Sequence, residues 1–558
     1  MHKSNQTNLK AFIQSRVFVF LLFWVVLFLL YLPAAKAGFI EDFIGWVHNV
    51  TTMKFWDYIN RTESHIPSLY QFTQFITYLL YQMIGNSYWG WHLLYITLQS
   101  INSFLLFVLC KGILTDSGIS RAWLISFGGA FLYTICPHIS EVVVWEPAYH
   151  YLQGFLMILL ILLWVQKFHN SGKGKYAWFA GILYFLSTFS LELFYLTPWF
   201  VFTLAIYYRV GLHYDRILFR KSLLYFLLPQ LLFFANHFIL LQHVYHIAFA
   251  HIGQNAIQPA TSYLQKPAKY FFNILFFGKY FHGWKIRMYN FLDSTLALEV
   301  FYSLVLLAFV FIVWWFKKMG KKAKAASLFF VWTWLCMALI TPLWWQDYFL
   351  ISYDRYTYVL DAFLYVNLAV LVSYITIRYV AVALWLLYVS INIYYTHKAV
   401  WYWKTSAAIM DKLIQTFPND PSKTILLLNL PECLDGAPLI GAQPEGGFKI
   451  MNNTFYTHKI NNKVYDVMCY NMITPNDGAD VATLNDSTIQ VTLKQWGTWW
   501  QYQHMGGHSY ENEDFRINMT DVGHAYELTL KKPAQQYKLL YIIGDTWHVA
   551  DLNKKNKQ

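Results

Sequence analysis

Long apolar runs separated by short polar loops dominate the first four hundred residues. A membrane span needs about 20 apolar residues, and eleven runs are read as candidates: 17–35, 90–110, 122–136, 147–166, 176–192, 194–208, 222–241, 299–316, 326–343, 357–377 and 379–396. The stretch 38–88 is too polar to span. Its Ile66, Leu69, Tyr70, Phe72, Phe75, Leu79 and Met83 nevertheless share a face at helical spacing, which predicts one or two helices lying on the membrane surface. The segment 242–299 reads the same way. Within it, 263–279 is rich in aromatics and lysines, a pattern that suits a helix at headgroup level.

After about Tyr402 the pattern changes. Asn, Asp, Gly and Pro become frequent, and short β-type runs at 424–430, 448–456, 465–473, 487–493, 515–520, 525–530 and 538–543 alternate with turn residues. The fold class predicted is therefore an α-helical polytopic membrane protein of about eleven spans, residues 1–399, followed by a C-terminal extracytoplasmic β-rich domain, residues 400–558.

Composition supports this division. The 558 residues are 57% hydrophobic and 13% charged, whereas soluble domains carry about a quarter charged residues. The net charge of +12 sits in the membrane part: residues 1–399 hold 28 Lys/Arg and 14 Asp/Glu, and residues 400–558 hold 14 and 16. Basic loops and anionic lipid account for that excess without nucleic acid.

Lys and Arg also set the orientation. Lys3, Lys10 and Arg16, then Lys111 and Arg121, Lys167 to Lys175, Arg209 to Lys221 and Lys317 to Lys324 all fall on one side if the N-terminus is cytoplasmic. Most acids of the membrane part then face outward, with Asp116 and Asp215 as exceptions, and the functional face is expected to be extracytoplasmic. A bacterial inner membrane is the expected location. Ala35-Lys36-Ala37 has the small-x-small form of a signal-peptidase site, but the long run before it favours an uncleaved anchor.

Five cysteines show no metal-ligand spacing. Cys110, Cys136 and Cys336 read as buried apolar residues. Cys433 and Cys469 are expected either to pair or to remain as two thiols. Trp496, Trp499, Trp500 and Tyr502 make an aromatic cluster, better suited to strand packing than to sugar stacking.

Four constellations carry candidate chemistry. Glu41-Asp42 follows the first span, where an acid can serve as a general base beside a membrane cavity; taken alone, the pair also reads as a solvated loop. Pro137-His138-Ile139-Ser140-Glu141 lies at the outer end of the third span, with His138 and Glu141 at i, i+3. Glu192 falls between two apolar runs. Asp354-Arg355-Tyr356-Thr357-Tyr358 precedes the tenth span, and Arg355 has the guanidinium geometry that binds phosphate in a bidentate fashion. The loosely spaced His237, His243, His246 and His251 suit a cavity lining better than a zinc site.

In this order the motifs resemble the GT-C superfamily of polytopic glycosyltransferases, in its O-mannosyltransferase-like branch. The acidic first outer loop is Glu41-Asp42, and His65-Ile66-Pro67-Ser68-Leu69 and Gly90-Trp91-His92-Leu93-Leu94 follow it. The family's histidine–proline–glutamate, lysine–glutamate and glutamate–arginine–tyrosine motifs are matched by Pro137-His138 with Glu141, by Leu191-Glu192 with Pro198, and by Asp354-Arg355 with Tyr358. Leucine at 191 and His65-Ile66-Pro67 replace basic residues of the family pattern.

The resemblance implies an inverting transferase that uses a polyprenyl-phosphate sugar donor and a glycan, lipid or protein acceptor. Asp42 would be the base, with Glu41 as its alternate, and Arg355 would hold the lipid phosphate. His138, Glu141, Glu192, Asp354 and Tyr358 would shape the substrate cavity. Some members of the superfamily add a divalent metal. A flippase for lipid-linked saccharide, which would call for internal repeats and access from both faces, and a non-catalytic envelope assembly protein are the competing readings.

Overall fold

The computed structural model describes residues 15–38, 42–60, 69–247, 260–340, 354–440, 447–455, 459–494, 498–500, 507–521 and 524–552. Its helices are α1 Arg16–Tyr31, α2 Asp42–Thr52, α3 Gln71–Ile84, α4 Tyr88–Asp116, α5 Ala122–Thr134, α6 Ser140–Val144, α7 Tyr149–Ser171, α8 Lys175–Ser187, α9 Thr197–Ile206, α10 Arg216–Tyr245, α11 Ala260–Phe276, α12 His282–Leu292, α13 Thr295–Trp315, α14 Lys321–Ile340, α15 Tyr358–Val372, α16 Arg378–Gln415 and α17 Gly447–Phe455. Among the described residues, nine helices are long and apolar enough to cross a membrane. A tenth arises if the bent pair Ala122–Thr134 and Pro137–Val144 is one span. The protein is thus an integral membrane protein.

The remaining candidate span, 176–192, appears as α8. It has thirteen residues, a length of about 20 Å against the roughly 30 Å of a hydrocarbon core.

The core lies where α4 packs on α5 and α7, and where α15 packs on α5 and α14. Gly129 of α5 makes one of these approaches possible: a Cβ there would lie 2.7 Å from the Cα of Val366 on α15. α13 is peripheral, with Val313 79% and Trp314 74% exposed, as expected of a helix that faces lipid.

The surface helix predicted near residue 75 forms as α3. It buries Thr73 and Thr77 and leaves Phe75, Leu79 and Met83 outward. Thr73 donates to Gln153 at 3.1 Å. Phe75, Leu79 and Met83 of the predicted stripe thus turn away from the protein, as a membrane-surface helix requires, whereas Leu69 is buried beside Leu241. The lysines of α11 behave differently from the headgroup-level expectation. Lys266 and Lys269 are buried, and Lys269 pairs with Asp293 at 2.7 Å.

α16 runs for 38 residues across the change in composition and leads into the β-rich domain. That domain contains β1 Thr424–Leu427, β2 Leu430–Leu434, β3 Ala437–Pro438, β4 Val464–Asp466, β5 Cys469–Met472, β6 Ala479–Asn485, β7 Thr488–Leu493, β8 Thr498–Trp500, β9 Tyr510–Glu511, β10 Phe515–Asp521, β11 Ala525–Leu530, β12 Tyr537–Ile543 and β13 Thr546–Ala550. They form three sheets, ordered β13-β12-β1-β4, β3-β2-β5-β8 and β6-β7-β11-β10-β9. β1 runs parallel to both its neighbours, and β2 runs parallel to β5.

One predicted strand is a helix. Residues 448–455 belong to α17, because Phe448, Met451 and Phe455 recur at helical spacing and the first two are fully buried. Cys433 and Cys469 are not joined by a disulfide. The β2–β5 register sets Cys433 opposite Asn471 and Cys469 opposite Leu430, so the two thiols do not face each other. Trp496 and Tyr502 lie outside the described residues, and Trp499 and Trp500 fall in β8.

Candidate functional site

Two X-Pro steps break the chain after α5. Cys136 precedes Pro137 and Trp145 precedes the Glu146-Pro147 pair, both in extended conformation. A residue before proline is disfavoured in the helical region, which accounts for the break at Cys136, and proline is well placed at a first helical position. The result is a short helix, α6, bent 52° from α5. The bend turns His138 and Glu141 into the protein, where both are buried.

The turn Asp354–Thr357 caps α15 from the other direction. Thr357 donates to the Asp354 carbonyl at 2.8 Å and to Asp361 at 3.1 Å. These two segments meet. The Arg355 guanidinium pairs with Glu141, and the Arg355 backbone N–H donates to the second oxygen of the same carboxylate at 3.0 Å. The guanidinium carbon lies 4.8 Å from the Trp145 ring and 4.9 Å from the Tyr356 ring, a cation–π arrangement.

A third segment adds a cation. Lys279, in the turn Gly278–Tyr280, donates to Asp354 at 2.8 Å. The other oxygen of Asp354 lies 3.4 Å from His138 Nδ1, and the His138 ring stacks on Phe277 at 6.0 Å. Lys279 stays charged. Burial works against the ammonium, but Asp354, Asp435 and Glu141 more than offset it and raise its pKa above the ordinary lysine value. Charges taken out of water are tolerated when they are paired and hydrogen-bonded, and here Glu141, Asp354, Lys279 and Arg355 satisfy one another.

The predicted residues separate accordingly. His138, Glu141, Asp354 and Arg355 come together. Glu192 opens the turn Glu192–Leu196 and is half-buried. Tyr151 lies within electrostatic reach of Glu192, Glu141 and Arg355, which puts Glu192 at the margin of the same cluster. Tyr358 points elsewhere, into the helix core, where its hydroxyl donates to Gln99 and accepts from Asn102 at 3.0 Å. Asp42 is the first residue of α2, a helix that packs against Glu146–Ala148 and α17. Glu41 lies outside the described residues, as does His251. His237 is held by the Tyr195 hydroxyl at 3.1 Å and the Thr188 carbonyl at 3.0 Å.

Lys279 and Asp435 are members of this neighbourhood that the motif reading did not single out. Among the described residues, no group of three or more His, Cys, Asp or Glu side chains is placed to hold a metal ion, and Asp354 is already engaged by Lys279 and His138. These residues therefore do not fit a divalent cation.

Beside the cluster, Leu275, Phe276, Phe277 and Phe281 face Tyr388, Ser390, Ile391, Tyr394 and Tyr395 across an open groove of about 470 Å³, with Ser390 its one small polar side chain. Phe277 forms part of the groove wall and also stacks on His138. Tyr395 lies against both Phe277 and Tyr280, at 5.0 and 4.7 Å between ring centroids. Compared with known proteins, the chain matches no family model and no curated protein.

Proposed function

We propose that the chain is an integral-membrane glycosyltransferase, which transfers a sugar from a polyprenyl-phosphate donor to an acceptor on the face that carries the β-rich domain. The observation that carries this reading is the shared wall at Phe277. An apolar groove suited to a lipid tail ends against a buried cluster whose cations, Lys279 and Arg355, suit a phosphate. Such a pairing of apolar channel and fixed charge is what a lipid phosphate needs.

In this reading the acceptor oxygen attacks the anomeric carbon of the donor as the carbon–oxygen bond to phosphate breaks. The polyprenyl phosphate leaves with the bonding electron pair, and the acceptor proton passes to Asp42. Lys279 and Arg355 offset the charge that grows on the leaving phosphate. Arg355 already gives its guanidinium to Glu141 and Tyr356, so a phosphate would compete with them for its donors.

The basic loops support the orientation. Tyr208, Gln166 and Asn170 gather on Asp116, and Lys324 donates to the Gly211 carbonyl. These contacts group the lysine- and arginine-rich loops at the end of the bundle away from the cluster, the side expected to be cytoplasmic.

The test measures consumption of a panel of polyprenyl-phosphate monosaccharides by purified wild type and Asp42→Asn in nanodiscs, with cell-envelope extract as acceptor. Turnover that collapses in the folded variant supports a transferase with Asp42 as base. Equal turnover moves the base elsewhere, first to Glu41. Absence of turnover with every donor refutes the reading.

A further inference from the structure

Glu146 lies outside the cluster of paired charges. It opens the turn Glu146–Ala148 and is 3% exposed. Among the described residues its Oε2 has no hydrogen-bond partner, and no Lys, Arg or His pairs with it. The donor beside the carboxylate is its own backbone N–H. Two phenols of α4 lie within electrostatic reach, but both give their hydrogens to backbone carbonyls. Tyr88 donates to Ala34 at 3.1 Å and Tyr95 to Glu146 itself at 2.6 Å. A buried carboxylate ordinarily has a cation or several donors. Glu141 and Asp354 meet that rule, and Glu146 does not.

Its place in the chain connects it with the groups that the proposed reaction uses. The preceding residue, Trp145, has the Arg355 guanidinium carbon 4.8 Å from its ring. The turn that Glu146 opens also receives α2, the helix that begins at Asp42. One short segment, 145–148, therefore touches both the cation read as holding the phosphate and the helix of the proposed base. The sugar of the donor belongs in that interval, because it is bonded to the phosphate and attacked by the acceptor that the base deprotonates.

We propose that Glu146 is a specificity-determining residue of this site, whose carboxylate accepts a hydrogen bond from a hydroxyl of the donor sugar. This inference rests on reading the site as one for a lipid-phosphate sugar. An ionised carboxylate only accepts, and a hydroxyl can donate to it. A hydrogen bond to an ion is about twice as strong as one between neutral groups, and dry surroundings strengthen it further. A lipid phosphate without its sugar offers no such hydroxyl. Glu146 thus favours the sugar-bearing donor over the bare lipid phosphate, the product that must leave.

The experiment measures binding of farnesyl phosphate, and of farnesyl phosphate carrying mannose, glucose or galactose, to full-length wild type and Glu146→Gln in nanodiscs. Wild type is expected to bind at least one sugar-bearing lipid more tightly than farnesyl phosphate. Glu146→Gln should reduce that preference roughly tenfold and leave farnesyl phosphate affinity unchanged. The same preference in both proteins, or none in wild type, overturns the inference and leaves the lipid-phosphate reading intact. Wild type that binds none of the four lipids overturns that reading and this inference with it.

Thermal unfolding without ligand gives a second arm. A carboxylate held by the fold loses stability when it is neutralised, whereas one kept for a ligand does not, because no protein cation depends on it. Glu146→Gln should therefore melt at or above the wild-type temperature. A clearly lower melting temperature makes Glu146 a structural acid and overturns the inference.

Discussion

The two ends of the helical bundle each gather donors around a carboxylate, and they do so with opposite chemistry. At one end Asp116 accepts from the Tyr208 hydroxyl at 2.6 Å, Gln166 at 3.2 Å and Asn170 at 3.1 Å. Tyr208 stacks in turn on His169, with ring centroids 4.7 Å apart. The side chains that donate to Asp116 are all uncharged, and together they tie α4, α7 and the turn after α9. At the other end Glu141 and Asp354 take their bonds from Arg355 and Lys279, with Asp361 and Asp435 close by. Neutral donors around an acid make a clasp with no capacity to bind another charge. Two cations held among acids keep charge in a dry place, which is worthwhile where a charged ligand is to be received.

Removing one charged partner should have the largest effect. Arg355→Met leaves Glu141 buried without its guanidinium, and losing half of a buried pair costs about 3–5 kcal/mol. The expected outcome is a strongly lowered melting temperature and loss of lipid-donor turnover. Arg355→Lys should recover part of the stability and little turnover, because an ammonium cannot reproduce the planar fork. If Arg355→Met melts like wild type, the pair is not a buried anchor.

The clasp should respond more mildly and without loss of function. Asp116→Ala leaves the Tyr208, Gln166 and Asn170 donors short of an acceptor, for about 1.5–3 kcal/mol, and donor turnover per folded molecule should stay at the wild-type level. Turnover that falls as far as in Arg355→Met would erase the distinction between the two ends. Gly129→Ala tests packing with no charge involved. The new Cβ meets the Val366 backbone at 2.7 Å, and overpacking of this kind costs about 1–3 kcal/mol.

Much of this architecture was legible beforehand. Each of the eleven apolar runs corresponds to a helix or to the bent pair, because a span is a local property of some twenty residues. Local pattern also showed His138 with Glu141, and Asp354 with Arg355, as close neighbours in sequence. The meeting of those two pairs was not visible, since Glu141 and Arg355 lie 214 positions apart. Lys279 was hidden by its company: in a segment rich in lysines and aromatics it looked like one more headgroup anchor, and only the fold turns it inward. Asp435 carried the local signature of a hairpin turn, here between β2 and β3, and nothing in Asp435-Gly436 says that the tip is buried. The misread strand at 448–456 has the same origin, because a short apolar run fits either period until its partners are known.

The β-rich domain supplies a third carboxylate that sharpens the contrast, with charged partners but no membrane around it. Asp514 accepts from Lys532 at 2.6 Å, Lys463 at 3.1 Å, Tyr465 at 2.5 Å and Tyr537 at 3.1 Å. Burial opposes its charge, but these donors prevail and hold its carboxyl below the ordinary aspartate range. A depressed folded-state pKa contributes stability that is fully present above the unfolded value of about 3.9 and is lost as pH falls through the folded value. The domain should therefore keep its stability down to about pH 5 and lose part of it in more acid solution. Asp514→Asn should lower the melting temperature at neutral pH and flatten that acid limb, as followed by thermal unfolding between neutral and strongly acid pH. Turnover at neutral pH should be untouched, because the Asp514 clasp joins β-domain elements only. An acid limb as steep in Asp514→Asn as in wild type would assign the titration to another carboxylate.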